Sequence, residues 1–367
     1  GEPRCCSCHT ALSRLGRCAN EWCGWMEERS EWSERLAMYA MDMWEDRPDV
    51  KIFVSRRIDI DSVLVDNPLY VPVRCGAVFD KENPRGLLGD NTGDNISEKR
   101  GSFCEFTVQY WAWKNEQADY YGLCHYRRYL SFSGQKYRTA DHGLVSCAVL
   151  TPGSMERFGL LNSETMVNEI AQYDLVIPQP APVERMPLPH GNARTVRQLW
   201  EAHDGIFFEK KVIDRMFGLI EELAPEYSAA AKEYFNSNLH RGYNCYVMKN
   251  ELFDRLCRFQ FPIMEALEQE LDTIDCSAGM RRTPAYVGEM LFGVFLHQVL
   301  YHEQWRVSQR QLVLFGETQA MSRPALAKWY VNYGLDRAVR AAVKPFFPLG
   351  SKRREACKAF YYKITRS

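Results

Sequence analysis

Short apolar runs alternate along this chain with segments whose apolar residues recur every three or four positions, the grammar of an α/β protein. Lys51-Ile52-Phe53-Val54-Ser55 predicts a first buried strand, and the piece over 69–75 a second, shorter one with Gly76 after it. A helix is predicted over 97–115, with Phe103, Phe106, Tyr110 and Trp113 on one face, followed at once by a buried strand over 120–130. Further strands are predicted at 174–178 and 242–249, and helices at 195–203, 210–223, 251–270 and 284–301. Gly, Pro, Asn and Asp dominate 79–93, which therefore reads as loop, and the Pro-rich stretch 178–189 reads as a long connection able to act as a lid. The expected fold is α/β: a mixed, mostly parallel sheet flanked by helices, with an appendage at each end.

The first 50 residues differ in character. Cys5, Cys6, Cys8, Cys18 and Cys23 crowd together before a stretch with Trp25, Trp32, Leu36, Tyr39 and Met43 at helical spacing, which Pro48 ends. Cys5, Cys8, Cys18 and Cys23 could supply four thiolates to a structural zinc, although the gap from Cys18 to Cys23 is wider than the usual two residues. Most other cysteines, such as Cys104, Cys124, Cys245 and Cys257, sit singly in apolar segments and read as buried free thiols rather than as a disulfide framework.

The 367 residues, 46% of them hydrophobic, can bury a sizeable core as one large domain or two smaller ones. The net charge of −1 hides an asymmetry: 27–49 is strongly acidic, whereas Arg323 onward carries eleven Lys or Arg against two acids. In that tail Phe346-Phe347-Pro348-Leu349 stands near Lys352-Arg353-Arg354 and Lys358, so cations and aromatics mix as in segments that lie on membranes. An anionic membrane surface is the expected partner of the tail, each basic residue adding roughly 1 kcal/mol near the lipid; a solvated basic helix is the other reading. No uninterrupted apolar run of about 18 residues and no signal-peptide pattern is present, giving the expectation of a cytoplasmic protein, peripheral on the inner face of the plasma membrane. There is no internal repeat, and nucleic acid is not an expected partner, since the balance of charge is not basic and no base-reading motif occurs.

Three constellations carry chemistry. In Asp90-Asn91-Thr92-Gly93-Asp94-Asn95 the glycine allows close backbone approach, and Asp94, Asn95 and Ser97 can bind hydroxyls or cap the helix that Lys99 enters; a plain capped loop is the alternative. His125, Arg127 and Arg128 lie near the end of an apolar strand, where unpaired charge is costly and where Arg forks suit diphosphate oxygens. Strand alternation would send His125 and Arg127 to one face and Arg128 to the other. Glu289 stands alone on an otherwise apolar helix, where burial would raise its pKa and fit it for proton transfer; a salt bridge at the helix edge is the competing explanation. Asn244, between Tyr243 and Tyr246, could hydrogen-bond a sugar hydroxyl beneath an aromatic ring, or could be structural.

Taken together, Lys51 to Ser55, Thr92 to Lys99, Cys104-Glu105 with Tyr110 to Asn115, Gly122 to Tyr129, Asn244-x4-Lys249 and Glu289-x-Leu291-Phe292 resemble a bacterial family known as domain of unknown function 4422. Its members look like glycosyltransferases of capsule, exopolysaccharide and lipopolysaccharide assembly. The resemblance spans 51–315 and implies a GT-A-like, Rossmann-type domain there, leaving 1–50 as the Cys-rich appendage and 316–367 as the basic helical tail. It further implies transfer from a nucleotide-sugar donor, such as a UDP-sugar carrying galactose or galactofuranose, to a lipid-linked or growing surface saccharide. Where such enzymes carry a metal-binding Asp-x-Asp, this chain has His125-Tyr126-Arg127-Arg128, so its cations could neutralise the leaving diphosphate and no cofactor is required for catalysis. The family loop commonly reads Asp-Asp-Thr-Gly-Asp, and Asn91 in place of an acid weakens a metal role for it.

On this reading Asp94, Asn95, Lys99, Arg127 and Arg128 bind the donor, Asn244 and Tyr243 the acceptor or sugar, and Glu289 with His125 perform the chemistry. The alternative is a non-catalytic scaffold of a polysaccharide-assembly complex, against which the strand-end cations argue.

Overall fold

In the computed structural model the described residues are 47–343, apart from 81, 141, 190–191 and 274–279, together with Phe346 and Arg353. The chain divides into Gly1–Pro48 and Asp49–Ser367, and the fold is that of the second unit. The four candidate zinc cysteines, the helix expected after them and most of the tail's cations lie outside the described residues.

The strands are β1 (Val50–Arg57), β2 (Tyr70–Cys75), β3 (Leu88–Gly89), β4 (Tyr120–His125), β5 (Arg128–Leu130), β6 (Val145–Val149), β7 (Leu175–Pro178), β8 (Ala181–Pro182), β9 (Leu239–His240), β10 (Tyr246–Lys249), β11 (Val307–Arg310) and β12 (Leu312–Glu317). The α-helices are α1 (Arg100–Phe103), α2 (Phe106–Asn115), α3 (Pro152–Arg157), α4 (Ser163–Ile170), α5 (Val196–Glu201), α6 (Lys211–Leu223), α7 (Ser228–Asn236), α8 (Asn250–Thr273), α9 (Thr283–Tyr301) and α10 (Arg323–Val343). The main sheet runs β11-β7-β10-β4-β1-β2-β3, with β5, β6 and β12 joined beyond β4, while β8 and β9 pair separately. β1 is parallel to both β2 and β4, and β10 is antiparallel to β4 and β7, so the sheet is mixed. Among the described residues no helix is long and apolar enough to cross a membrane.

Helices cover both faces of the sheet, which is why its inner strands read as continuous apolar runs rather than alternating ones. Phe53, Tyr121 and Leu123 enter one core with α2, α8 and α9, whereas Ile52, Val54, Tyr120 and Cys124 enter the other. Fully buried rings such as Phe53, Phe103 and Phe106 each contribute roughly 1.5–3 kcal/mol by leaving water. Helix α9 is apolar nearly all round, as a central buried helix must be. Gly288 lets it press against α2, since a Cβ there would stand 2.4 Å from the Phe106 ring. Its carbonyl accepts from Gln260 Nε2 (2.8 Å), and Gln260 Oε1 in turn accepts from Gln109 Nε2 (2.8 Å), tying α2, α8 and α9 together in the core.

Three elements depart from the sequence expectation. The strand expected over 120–130 is a tight hairpin: β4 ends at His125, Tyr126 and Arg127 form the turn, and Arg128 pairs back with His125. The helix expected over 97–115 is broken at Cys104, whose backbone (φ 51°, ψ −128°) leaves helical space between α1 and α2. The strand expected from 242 begins only at Tyr246, because Tyr243 and Asn244 turn the chain with φ of 76° and 41°. The Pro-rich connection is anchored rather than free, with Ala181 paired to His240 and Val183 buried.

Candidate active site

The C-terminal ends of β1, β2 and β4 open into a cleft of about 1350 Å³. The chain leaves β1 for β2 on one side and returns through α2 to β4 on the other, so the order reverses at β1, the place where open α/β sheets bind ligands. Ser55 and Arg57 of β1, Cys75 of β2 and the His125-Tyr126-Arg127 turn form its floor; α1, the Cys104-Glu105 break, the end of α8 and the start of α9 form its walls.

The lining is cationic. Arg57, Lys99, Arg100, Arg127, Arg281 and Arg282 face it against Glu98, Glu105 and Glu268. Some of that charge is spoken for: Lys99 pairs with Glu268 (2.8 Å), Arg57 and Arg100 with Asp59, and Arg282 Nε lies 3.2 Å from the Cys104 sulfur. Arg127 and Arg281 are exposed and form no ion pair among the described residues. The start of the 19-residue helix α9 borders the cleft at Arg282 and Pro284, so its unpaired N–H groups and dipole add a positive field.

Two carboxylates meet this field. Glu105 lies on the wall and accepts a hydrogen bond from Asn244 Nδ2 (3.2 Å). Glu289, partly buried two turns into α9, has its pKa pushed up to about 7 by burial and by the Glu105 carboxylate, against the opposing pull of Arg128 and Arg282. His125 is driven well below the usual imidazole range, first by burial and then by Arg128, Arg127, Arg57 and Arg282, so it is neutral at physiological pH. Its Nδ1 and the Nε of Arg128 are buried and have no hydrogen-bond partner among the described residues, a state that native structures rarely leave without a use.

Backbone strain gathers at the same place. Among the described residues the non-glycine positions with positive φ are Cys104, Tyr243 and Asn244. Each costs on the order of 1–3 kcal/mol, which the surrounding packing must offset. Cys104 precedes Glu105 and Asn244 holds it, so the strained positions converge on one carboxylate.

The structure therefore brings Lys99, His125 and Arg127 into one lining, with Glu289 behind it. Arg128 is outside the lining and lies under the Tyr243 ring, 5.3 Å from its centroid; Tyr243 Oη donates to His142 O (3.0 Å). Asn244 is buried, its amide committed to Glu105. Asp94 and Asn95 lie elsewhere: Asp94 accepts from Tyr110 Oη (3.2 Å) and is bracketed by Asn115, while Asn95 closes its own turn through Gly93 O and Ser97 N. The organiser of that loop is Asp90, fully buried, which accepts from the backbone N–H of Gly76 (2.8 Å) and Ala77 (2.9 Å) and from the hydroxyls of Ser97 and Thr107. Glu105, Arg281 and Arg282 join the lining without being sequence candidates. Glu105 carried the same signal as Glu289, a lone acid between Phe103 and Phe106 on an apolar helix face, and the arginine pair stands just before the Pro284 that opens α9.

No curated protein matches the chain. A solved structure described as the WbbM bifunctional glycosyltransferase in its apo form is similar, at 27% identity and a TM-score of 0.65 over 75% of this chain. The match takes in 47% of that protein, so this chain spans about half of its length. The family model described as domain of unknown function DUF4422 matches residues 51–301, and the chain belongs to that family.

Proposed function

We propose that the domain is a glycosyltransferase of GT-A type that moves a sugar from a nucleotide-sugar donor to a saccharide acceptor. The observation that supports this most is the meeting of unpaired arginines and Glu105 in one switch-point cleft, with Glu289 behind them, its pKa raised to about 7 by burial and by that Glu105 carboxylate. Arg127, Arg281, Arg282 and the start of α9 hold the donor diphosphate, and neutral His125 at the strand end contacts the phosphate or the sugar. The acceptor O–H gives its proton to the Glu105–Glu289 pair, Glu105 presenting the pair to the cleft. As the acceptor oxygen bonds to the anomeric carbon, the bond from that carbon to the diphosphate oxygen breaks, and the fixed cations take up the charge that develops on the leaving group. An Asp-x-Asp metal site does not fit the end of β4, since His125, Tyr126, Arg127 and Arg128 stand there and their charge repels a divalent cation. The donor is a UDP-sugar, with galactose or galactofuranose as the transferred residue, and the acceptor a lipid-linked or growing surface polysaccharide to which the basic tail brings the enzyme. The similarity to part of a bifunctional glycosyltransferase supports the class.

The test is turnover of a panel of UDP- and dTDP-sugars, read as hydrolysis or transfer. Arg127→Ala, which removes an exposed cation from the lining, is expected to lower kcat/KM by about 10- to 100-fold, the worth of one charge-assisted contact of roughly 1.5–3 kcal/mol. Turnover equal to that of the parent would remove the diphosphate assignment.

A further inference from the structure

At the far end of α9 a second cluster stands apart from the cleft. Glu233 of α7, His297 of α9 and His302, the residue that caps α9, bring one ligand atom each to within 4.8 Å of one another. Glu233 Oε2 lies 3.1 Å from His297 Nε2 and 2.8 Å from His302 Nε2. A helix of 19 residues is about 28 Å long, so this cluster and the cleft lie at opposite ends of it.

We propose that Glu233, His297 and His302 form a binding site for a divalent transition-metal ion of the zinc class. Two imidazoles and a carboxylate are the ligand types zinc favours, and a three-residue set leaves the fourth tetrahedral position to water. Tetrahedral bonds of about 2.0–2.1 Å set ligand atoms about 3.3 Å apart, so the two Glu233–histidine contacts need an opening of only a few tenths of an ångström, and the two imidazole nitrogens lie within 4.8 Å of each other. Glu233 supplies negative charge, and the carbonyl end of α9 adds a field that favours a cation. Arg241 lies near enough for its charge to oppose a cation at His297, and the Glu233 carboxylate offsets that charge. Ligation would tether α7 to the end of α9. The same turn of α7 carries Tyr234, whose hydroxyl holds both Arg241 O (3.0 Å) and Arg241 N (3.2 Å) just ahead of Tyr243 and Asn244, so the tether stiffens the support of that loop.

The experiment strips the full chain with a chelator, titrates it with zinc alone, and measures bound zinc and thermal unfolding for the parent, His302→Ala and Glu233→Ala. The N-terminal cysteines are present in all three proteins, so any zinc they hold cancels in the comparison. His302 and Glu233 are surface side chains, and circular dichroism without zinc checks that each variant is folded. The expected result is one zinc equivalent fewer, or at least tenfold weaker binding, in each variant, with loss of the zinc-dependent rise in Tm seen in the parent. Equal zinc stoichiometry and affinity in all three would overturn the proposal.

Discussion

Glu289→Gln is expected to lower kcat by about 100- to 10,000-fold, the range over which a positioned base contributes, and to remove the rising limb of the pH–rate profile near pH 7. The limb rises because the base must be ionised, and burial with Glu105 nearby holds that ionisation close to neutrality. Glu105→Gln is expected to cost about as much, and the double variant little more, because groups that act as one unit do not add. The same substitution should act on stability in the opposite sense. With its folded pKa raised from 4.5 to about 7, the Glu289 carboxyl contributes stability fully below pH 4.5 and loses it as pH rises through 7. Glutamine has no charge to bury, so the variant is expected to be about 1–3 kcal/mol more stable than the parent at pH 8 and no more stable at pH 4. Urea denaturation at the two pH values reads this directly, and a variant less stable at pH 8 would contradict the burial argument.

Asp90→Ala is expected to destabilise the domain by about 3–5 kcal/mol, since two backbone N–H groups and two hydroxyls lose their charged acceptor inside the protein. Asp90 joins the turn after β2, the turn at Ser97 and the first turn of α2, and those elements carry Arg100, Lys99 and Glu105 to the cleft. Asp90→Asn keeps the shape but points an NH2 at donors, and is expected to lose about 2–3 kcal/mol. Denaturant titration is the measurement; a loss below 1 kcal/mol in the alanine variant would show that the turn is held by something else.

Which parts of this arrangement could be read from sequence follows from where the determining contacts lie. β1 and α9 were legible because strands or helices buried on every side write themselves as nearly continuous apolar runs. The hairpin at Tyr126-Arg127 was not, since no Gly or Pro marks it and its second strand is held by β12, nearly two hundred residues away in sequence. The break at Cys104 likewise lacks a local signal, since cysteine rarely takes positive φ and no Gly or Pro stands there. In the loop before α1, Gly89-Asp90 and Gly93-Asp94 are near-identical pairs, and only the folded chain decides that the first aspartate is the buried keystone and the second an exposed partner of Tyr110. His125, Arg127 and Glu289 could be nominated because charge inside apolar segments is conspicuous. Arg281 and Arg282 could not, because two arginines in a polar stretch look like any solvated surface until α9 is seen to begin at the cleft.

The most direct measurement is a crystal structure of the chain soaked with uridine diphosphate. Density for the diphosphate among Arg127, Arg281, Arg282 and the start of α9, with Glu105 facing the open space beyond it, is the expected result. A nucleotide bound away from the ends of β1 and β4, or none at saturating concentration, would contradict the account.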